Sequence, residues 1–135
     1  LAAKEKTMTA KEQQRQSRVV WFEIPAGDLA RATAFYEEIL QMKLRPYQGV
    51  GAKMNIFPYD EPAISGAVNE AEGAEPGRGA VVYLNADPSL DAVLGRVEAA
   101  GGTIVLGRTE LPPGMGVFAQ FRDTEGNVTG IHAIS

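Results

Sequence analysis

From Val19 onward the chain switches between two hydrophobic periods. Val19, Val20, Phe22 and Ile24 make a short apolar run ending at Pro25, the pattern of a strand. Asp28 follows as a helix N-cap. Leu29, Ala32, Tyr36, Ile39 and Leu40 then recur at helical spacing, which predicts an amphipathic helix over residues 29–40. Three short strands are expected next, at Leu44–Tyr47, Lys53–Pro58 and Ile64–Asn69, separated by turns bearing Gly and Pro. Gly73–Gly79 reads as a linker.

The pattern then begins again. Ala80–Asn85 is an apolar strand, and Asp87-Pro88 reads as an N-cap followed by proline at the first helical position. Leu90, Val93, Leu94 and Val97 mark a second helix, stopped by Gly101-Gly102. Strands are expected at Thr103–Arg108, Val117–Arg122 and Val128–Ile134, with Thr124-Glu125-Gly126-Asn127 as the turn of the last hairpin. The chain therefore reads as two βαβββ units, about 18–72 and 79–135, in one α+β domain. Each unit alone leaves one face of a curved sheet unburied. Two units side by side form a curved mixed sheet around a cleft. A generic α+β sandwich with the same element order is the alternative.

Residues 1–17, LAAKEKTMTAKEQQRQS, are rich in helix formers but show no apolar face, so they are expected as a polar tail or helix. They lack the apolar stretch of a secretory signal. With no cysteine in 135 residues, disulfides and thiolate metal sites are excluded. A formal net charge of −4, with no clustering of Lys and Arg, argues against nucleic acid. No apolar run approaches the roughly 20 residues of a membrane span. A cytoplasmic protein is expected.

Two motifs carry a resemblance. EIPAGDLARATAFYEEIL (Glu23–Leu40) is similar to the opening strand and Asp-led helix of the glyoxalase/bleomycin-resistance (vicinal oxygen chelate) superfamily. FRDTEGNVTGIH (Phe121–His132) resembles its last hairpin, and Leu111–Gly116, with Pro112-Pro113-Gly114, resembles the preceding loop. The likeness spans residues 19–135. It implies the two-unit fold and a cleft in which the family's enzymes hold a divalent metal through His, Gln and Glu side chains. The corresponding positions here are Trp21, the vicinity of Gly66, Val81 or a neighbour, and Gly130. None of these four side chains binds a metal, so neither metal nor cofactor is expected.

Strand alternation names what lines the cleft instead. If Trp21 faces it, so does Glu23; Tyr83 joins beside Val81 and His132 beside Gly130. Met54 or Ile56 contributes from the middle strands. The set is largely apolar with a few polar anchors, as ligand pockets are. Each member also has a plainer reading. Trp21 and Tyr83 commonly serve packing, and His132 is simply hydrogen-bonded or solvated. Glu23 is solvent-facing at an edge, paired, or functional, because an unpaired buried carboxylate is costly. Asp28, Asp87 and Asp123 are read as caps and turn residues.

The expected function is metal-independent binding of a small organic molecule, as bleomycin-resistance members sequester a drug. A lyase, isomerase or extradiol-type dioxygenase of the same superfamily is one alternative, and a scaffold with a vestigial cleft another. A homodimer is expected, with Trp21 and Glu23 meeting Tyr83 and His132 of the partner, or all four within one chain. Glu23 and His132 would make a general-base pair only if they meet.

Overall fold

The computed structural model describes residues 7–49, 51–70 and 75–135. The polar N-terminal stretch contains a helix, α1 (Ala10–Gln16), started by a reciprocal cap in which the Glu12 N–H donates to Thr9 Oγ1 and the Thr9 N–H to Glu12 Oε2. The first unit follows: β1 (Val19–Pro25), α2 (Leu29–Leu40), β2 (Arg45–Pro46), β3 (Met54–Ile56) and β4 (Ser65–Asn69). The second is β5 (Val81–Asn85), α3 (Leu90–Leu94), β6 (Thr103–Glu110), β7 (Val117–Arg122) and β8 (Val128–Ala133). Part of the linker, Gly73 and Ala74, lies outside the described residues.

All eight strands join one open, curved mixed sheet in the order β2-β3-β4-β1-β5-β8-β7-β6. The order is one half-sheet repeated and turned about, 2-3-4-1 against 5-8-7-6. Each opening strand runs parallel to the last strand of its own unit, β1 with β4 and β5 with β8, and the two opening strands pair antiparallel with each other. That seam lies within one chain. Of the two expected arrangements, the sheet is therefore completed inside a single copy.

Helices α2 and α3 cover one face. Under α2, Leu29, Ala32 and Tyr36 pack on Phe22, Ile24, Phe57 and Val68. Asp28 caps it as expected, its Oδ1 accepting from the Arg31 N–H at 2.9 Å. The helix ends at Gln41, whose φ of 51° is left-handed. Ile39 and Leu40, expected on the inward stripe, are 56% and 46% exposed. The turn at Gln41 sends the chain back, and Met42 and Leu44 take the core places instead. Under α3 the core is aliphatic and tighter: Leu90, Val117, Ala119, Ile131 and Ala133 are all within 2% of full burial.

The second helix is shorter than its periodicity predicts. Val97 still reaches the core, but from turns beyond Leu94. Its N-cap is Ser89, whose hydroxyl accepts from the Ala92 N–H, and not Asp87. Asp87 Oδ1 is already engaged by the Ile134 N–H, which ties the C-terminal end of the chain to the start of this helix. The expected strands at Leu44–Tyr47 and Lys53–Pro58 shrink to two and three residues, while β6 runs on to Glu110. Asp123 organises the last turn, accepting from the N–H groups of Glu125 and Asn127.

Candidate functional site

The phase of β1 decides the site. Phe22 and Ile24 pack into the cluster under α2, so Trp21 and Glu23 project from the opposite face. Register carries this face across the sheet. Trp21 lies opposite Ser65 on β4 and Tyr83 on β5, and Glu23 opposite Ala67 and Val81. Met54 and Ile56 pair with Asn69 and Ala67, which puts both on the same face. Tyr83 pairs with Gly130, Gly130 with Gln120, and Asn85 with His132. All five expected site residues, Trp21, Glu23, Met54, Tyr83 and His132, thus share the face away from α2 and α3.

Glu23 is the hub of a polar network drawn from four strands. Its Oε1 accepts from Asn69 Nδ2 at 3.1 Å and from the Tyr83 hydroxyl at 3.2 Å, a long O–H···O bond. The same hydroxyl accepts from Gln120 Nε2 at 2.6 Å. Burial pushes the Glu23 carboxyl above its usual range, and the Tyr83 hydroxyl, the Trp21 indole N–H and the Asn69 amide offset part of that rise. Burial and the neighbouring Glu23 charge also push the Tyr83 phenol up, so it is a donor and not a phenolate at neutral pH.

Tyr83 does not form an open wall. It is 4% exposed, and its ring lies where a Cβ on Gly130 would be. Trp21 is half-buried, with the Tyr59 ring edge-on at 6.3 Å between centroids. Tyr59 also lines a hollow of about 290 Å³ with Arg45, Pro58 and Asp60. His132 stays apart from Glu23. It stands opposite Asn85, four residues along β5 from Val81, the partner of Glu23, or about 13 Å at strand rise. Its Nε2 is 2.7 Å from the Met115 carbonyl. Glu23 and His132, a general-base pair only if they meet, do not meet, because alternation fixes a face and not a position along it.

Asn69 and Gln120, which complete the network, were not expected. Both were visible in principle: Asn69 is two residues beyond Ala67 on the strand that flanks Glu23, and Gln120 interrupts an apolar strand at the cleft-facing phase.

The chain matches the Glyoxalase/Bleomycin resistance protein/Dioxygenase superfamily over residues 18–131. A "Glyoxylase-like domain-containing protein" of Didymella fabae is 37% identical over 117 residues, covering 83% of this chain and 88% of that one. The chain belongs to this superfamily. Solved structures agree on the fold. A hypothetical protein from Bacillus halodurans C-125 superposes with a TM-score of 0.62 at 15% identity, covering 86% of this chain and 93% of that one. Streptomyces coelicolor methylmalonyl-CoA epimerase in complex with 2-nitronate-propionyl-CoA gives 0.58 at 11%, over 87% and 94%.

The superfamily's metal finds poor support in this donor set. Trp21 and Val81 are on the site face but carry no ligand atom suited to it. Gly66 is on the wrong face, closed over by the Phe22 ring and carbonyl; the site-facing residues of its strand are Ser65, Ala67 and Asn69. Ser65 spends its hydroxyl on the Phe57 carbonyl. Gly130 lies beneath Tyr83. Among the described residues no three His, Cys, Asp or Glu side chains gather as a metal site requires. Among the described residues, too, no helix is long and apolar enough to cross a membrane.

Proposed function

We propose that this superfamily member is a metal-independent small-molecule binding protein of the bleomycin-resistance kind, cytoplasmic and homodimeric, with Trp21, Glu23 and Met54 meeting the ligand. The single observation that carries this reading is the Glu23 network. A carboxylate on the face opposite the helices is fixed by Asn69 and by Tyr83, and Tyr83 is fixed in turn by Gln120. Three side chains from three other strands hold it in one orientation, which lowers the ordering cost of recognising a ligand. His132 takes no part in this reading, and Tyr83 supports Glu23 from beneath.

Native mass spectrometry of freshly purified protein tests the proposal. Copurification of a small organic molecule that survives treatment with a chelator, and is lost in Glu23→Gln, is the expected result. A stoichiometric transition metal on the protein would overturn metal independence. Light scattering is expected to give twice the chain mass at micromolar concentration. The burial of Tyr83 favours a second reading, a scaffold with a vestigial cleft. On that reading no small molecule copurifies and Glu23→Gln alters no binding.

A further inference from the structure

Glu23 is the one formally charged residue on the four central strands β4, β1, β5 and β8. Among the described residues no lysine or arginine pairs with it. The ion pairs found are Lys43 with Glu37, Arg78 with Glu75, and Arg108 with Asp91 and Glu110. The groups that meet it, the Tyr83 hydroxyl, the Trp21 indole N–H and the Asn69 amide, are neutral. A carboxylate withdrawn from water and met only by neutral dipoles is still short of countercharge.

Its neighbour has the matching deficit. Asn69 is 9% exposed, donates its Nδ2 to Glu23, and leaves its Oδ1 buried without a hydrogen-bond partner. Buried acceptors are rarely left this way, because the lost hydration is not returned. An anionic acceptor and a neutral acceptor therefore sit on side chains bonded to each other, and the described residues supply neither the charge nor the extra donor that the pair lacks.

We propose that Glu23 and Asn69 form a subsite for a nitrogen cation bearing at least two N–H bonds, a primary ammonium, amidinium or guanidinium group of a small organic molecule. One N–H meets the Glu23 carboxylate and a second meets Asn69 Oδ1. Trp21, two residues from Glu23 on the same face, offers its ring to the cation or to the apolar body that carries it. A carboxylate or phosphate ligand would be repelled by Glu23 and would leave Asn69 Oδ1 unmet. The inference rests on the reading of this face as a ligand site, and it adds the chemical class. Because Oδ1 is closed to solvent, the ligand reaches it by shifting a neighbouring side chain, so binding alters the surroundings of Asn69.

Matched one-ring probes test it by nuclear magnetic resonance: benzylamine and benzamidine against benzyl alcohol and benzoate, each titrated into the full chain. The readouts are the indole N–H of Trp21, the only tryptophan, and the side-chain amide of Asn69. The two cations are expected to bind at least about tenfold more tightly than the neutral and anionic probes and to shift both signals. Glu23→Gln is expected to remove that preference while the binding of benzyl alcohol stays as it was. Asn69→Ser, which shortens the side chain, is expected to weaken benzylamine and benzamidine and to leave benzyl alcohol and benzoate as they were. Equal affinity for all four probes, or an undiminished preference in Glu23→Gln, overturns the cation subsite but leaves the ligand face standing. Silence of the Trp21 signal toward every probe overturns both.

Discussion

The two units repeat one topology and use it differently. The first builds an aromatic core of Phe22, Tyr36 and Phe57 beneath a twelve-residue helix, with short outer strands. The second builds an aliphatic core of Leu90, Ile131, Val117 and small residues beneath a five-residue helix, with strands of six and eight residues. Facing positions on the seam diverge as well. Trp21 on β1 stays half-buried, whereas its partner Tyr83 on β5 is sunk into the sheet over Gly130. The first unit presents the charged group and one of its props, Asn69, and the second supplies the other two, Tyr83 and Gln120. Duplication thus gives a protein two copies of a frame in which one can carry a costly side chain while the other stabilises it.

The largest effect that tests this division is expected in the second core. Leu90 is fully buried, and Leu90→Ala should cost about 2–5 kcal/mol in denaturant unfolding. Leu44→Ala, at 8% exposure in the first unit, should fall at or below the lower end of that range. Equal losses would mean that the two cores bear stability alike. Next come the two glycines beneath aromatic rings. Gly130→Ala puts a methyl into the Tyr83 ring, and Gly66→Ala puts one into Phe22. Both should destabilise by roughly 1–3 kcal/mol through overpacking. Only Gly130→Ala should move the titration of Glu23, read from its carboxyl carbon shift, because only Tyr83 bonds to Glu23.

Tyr83→Phe is expected to cost about 1 kcal/mol, the ordinary net worth of a buried hydrogen bond. It should raise the Glu23 pKa further, since the Tyr83 hydroxyl now holds it down. An unchanged titration would show that the long Tyr83–Glu23 bond carries no weight. The smallest effect concerns Glu23 itself. Its folded pKa lies above the ordinary 4.5, so the folded state binds this proton more tightly than the unfolded chain. The resulting stability is fully present below pH 4.5 and is lost as pH rises through the folded value. Glu23→Gln, which has no charge to bury, should therefore be more stable than the parent at neutral pH. The difference should vanish below pH 4.5. A stability gap that ignores pH would show that Glu23 is not the buried group described.

The sequence made the fold legible because its information is local and repeated. Asp28, the helical spacing after it and the turn around Asp123 each announce themselves within a few residues. Alternation was enough to set Trp21 and Glu23 against Phe22 and Ile24. It was not enough to bring Glu23 to His132, since distance along the sheet depends on the register of β1, β5 and β8, which no local pattern encodes. Asn69 and Gln120 were missed for the same reason: an amide on a strand becomes a partner only once its neighbours are known. The cap of α3 was misjudged because Asp87 resembles an N-cap but is claimed by Ile134, 47 residues away.

The eight-residue strand β6 at the rim has a further consequence. It exposes Val105 and Leu106 along an unpaired backbone edge, the form that recruits other chains into continued sheets. Yet its pairing with β7 slips twice, between Ile104 and Leu106 and again between Leu106 and Thr109, and Arg108 stands beside the second slip. Such irregularities twist the rim and break the straight row of donors and acceptors that an incoming strand must match. The opposite rim, β2, is two residues long and includes Pro46, which has no N–H to offer. Neither border offers an incoming strand a long, regular row of backbone groups to match.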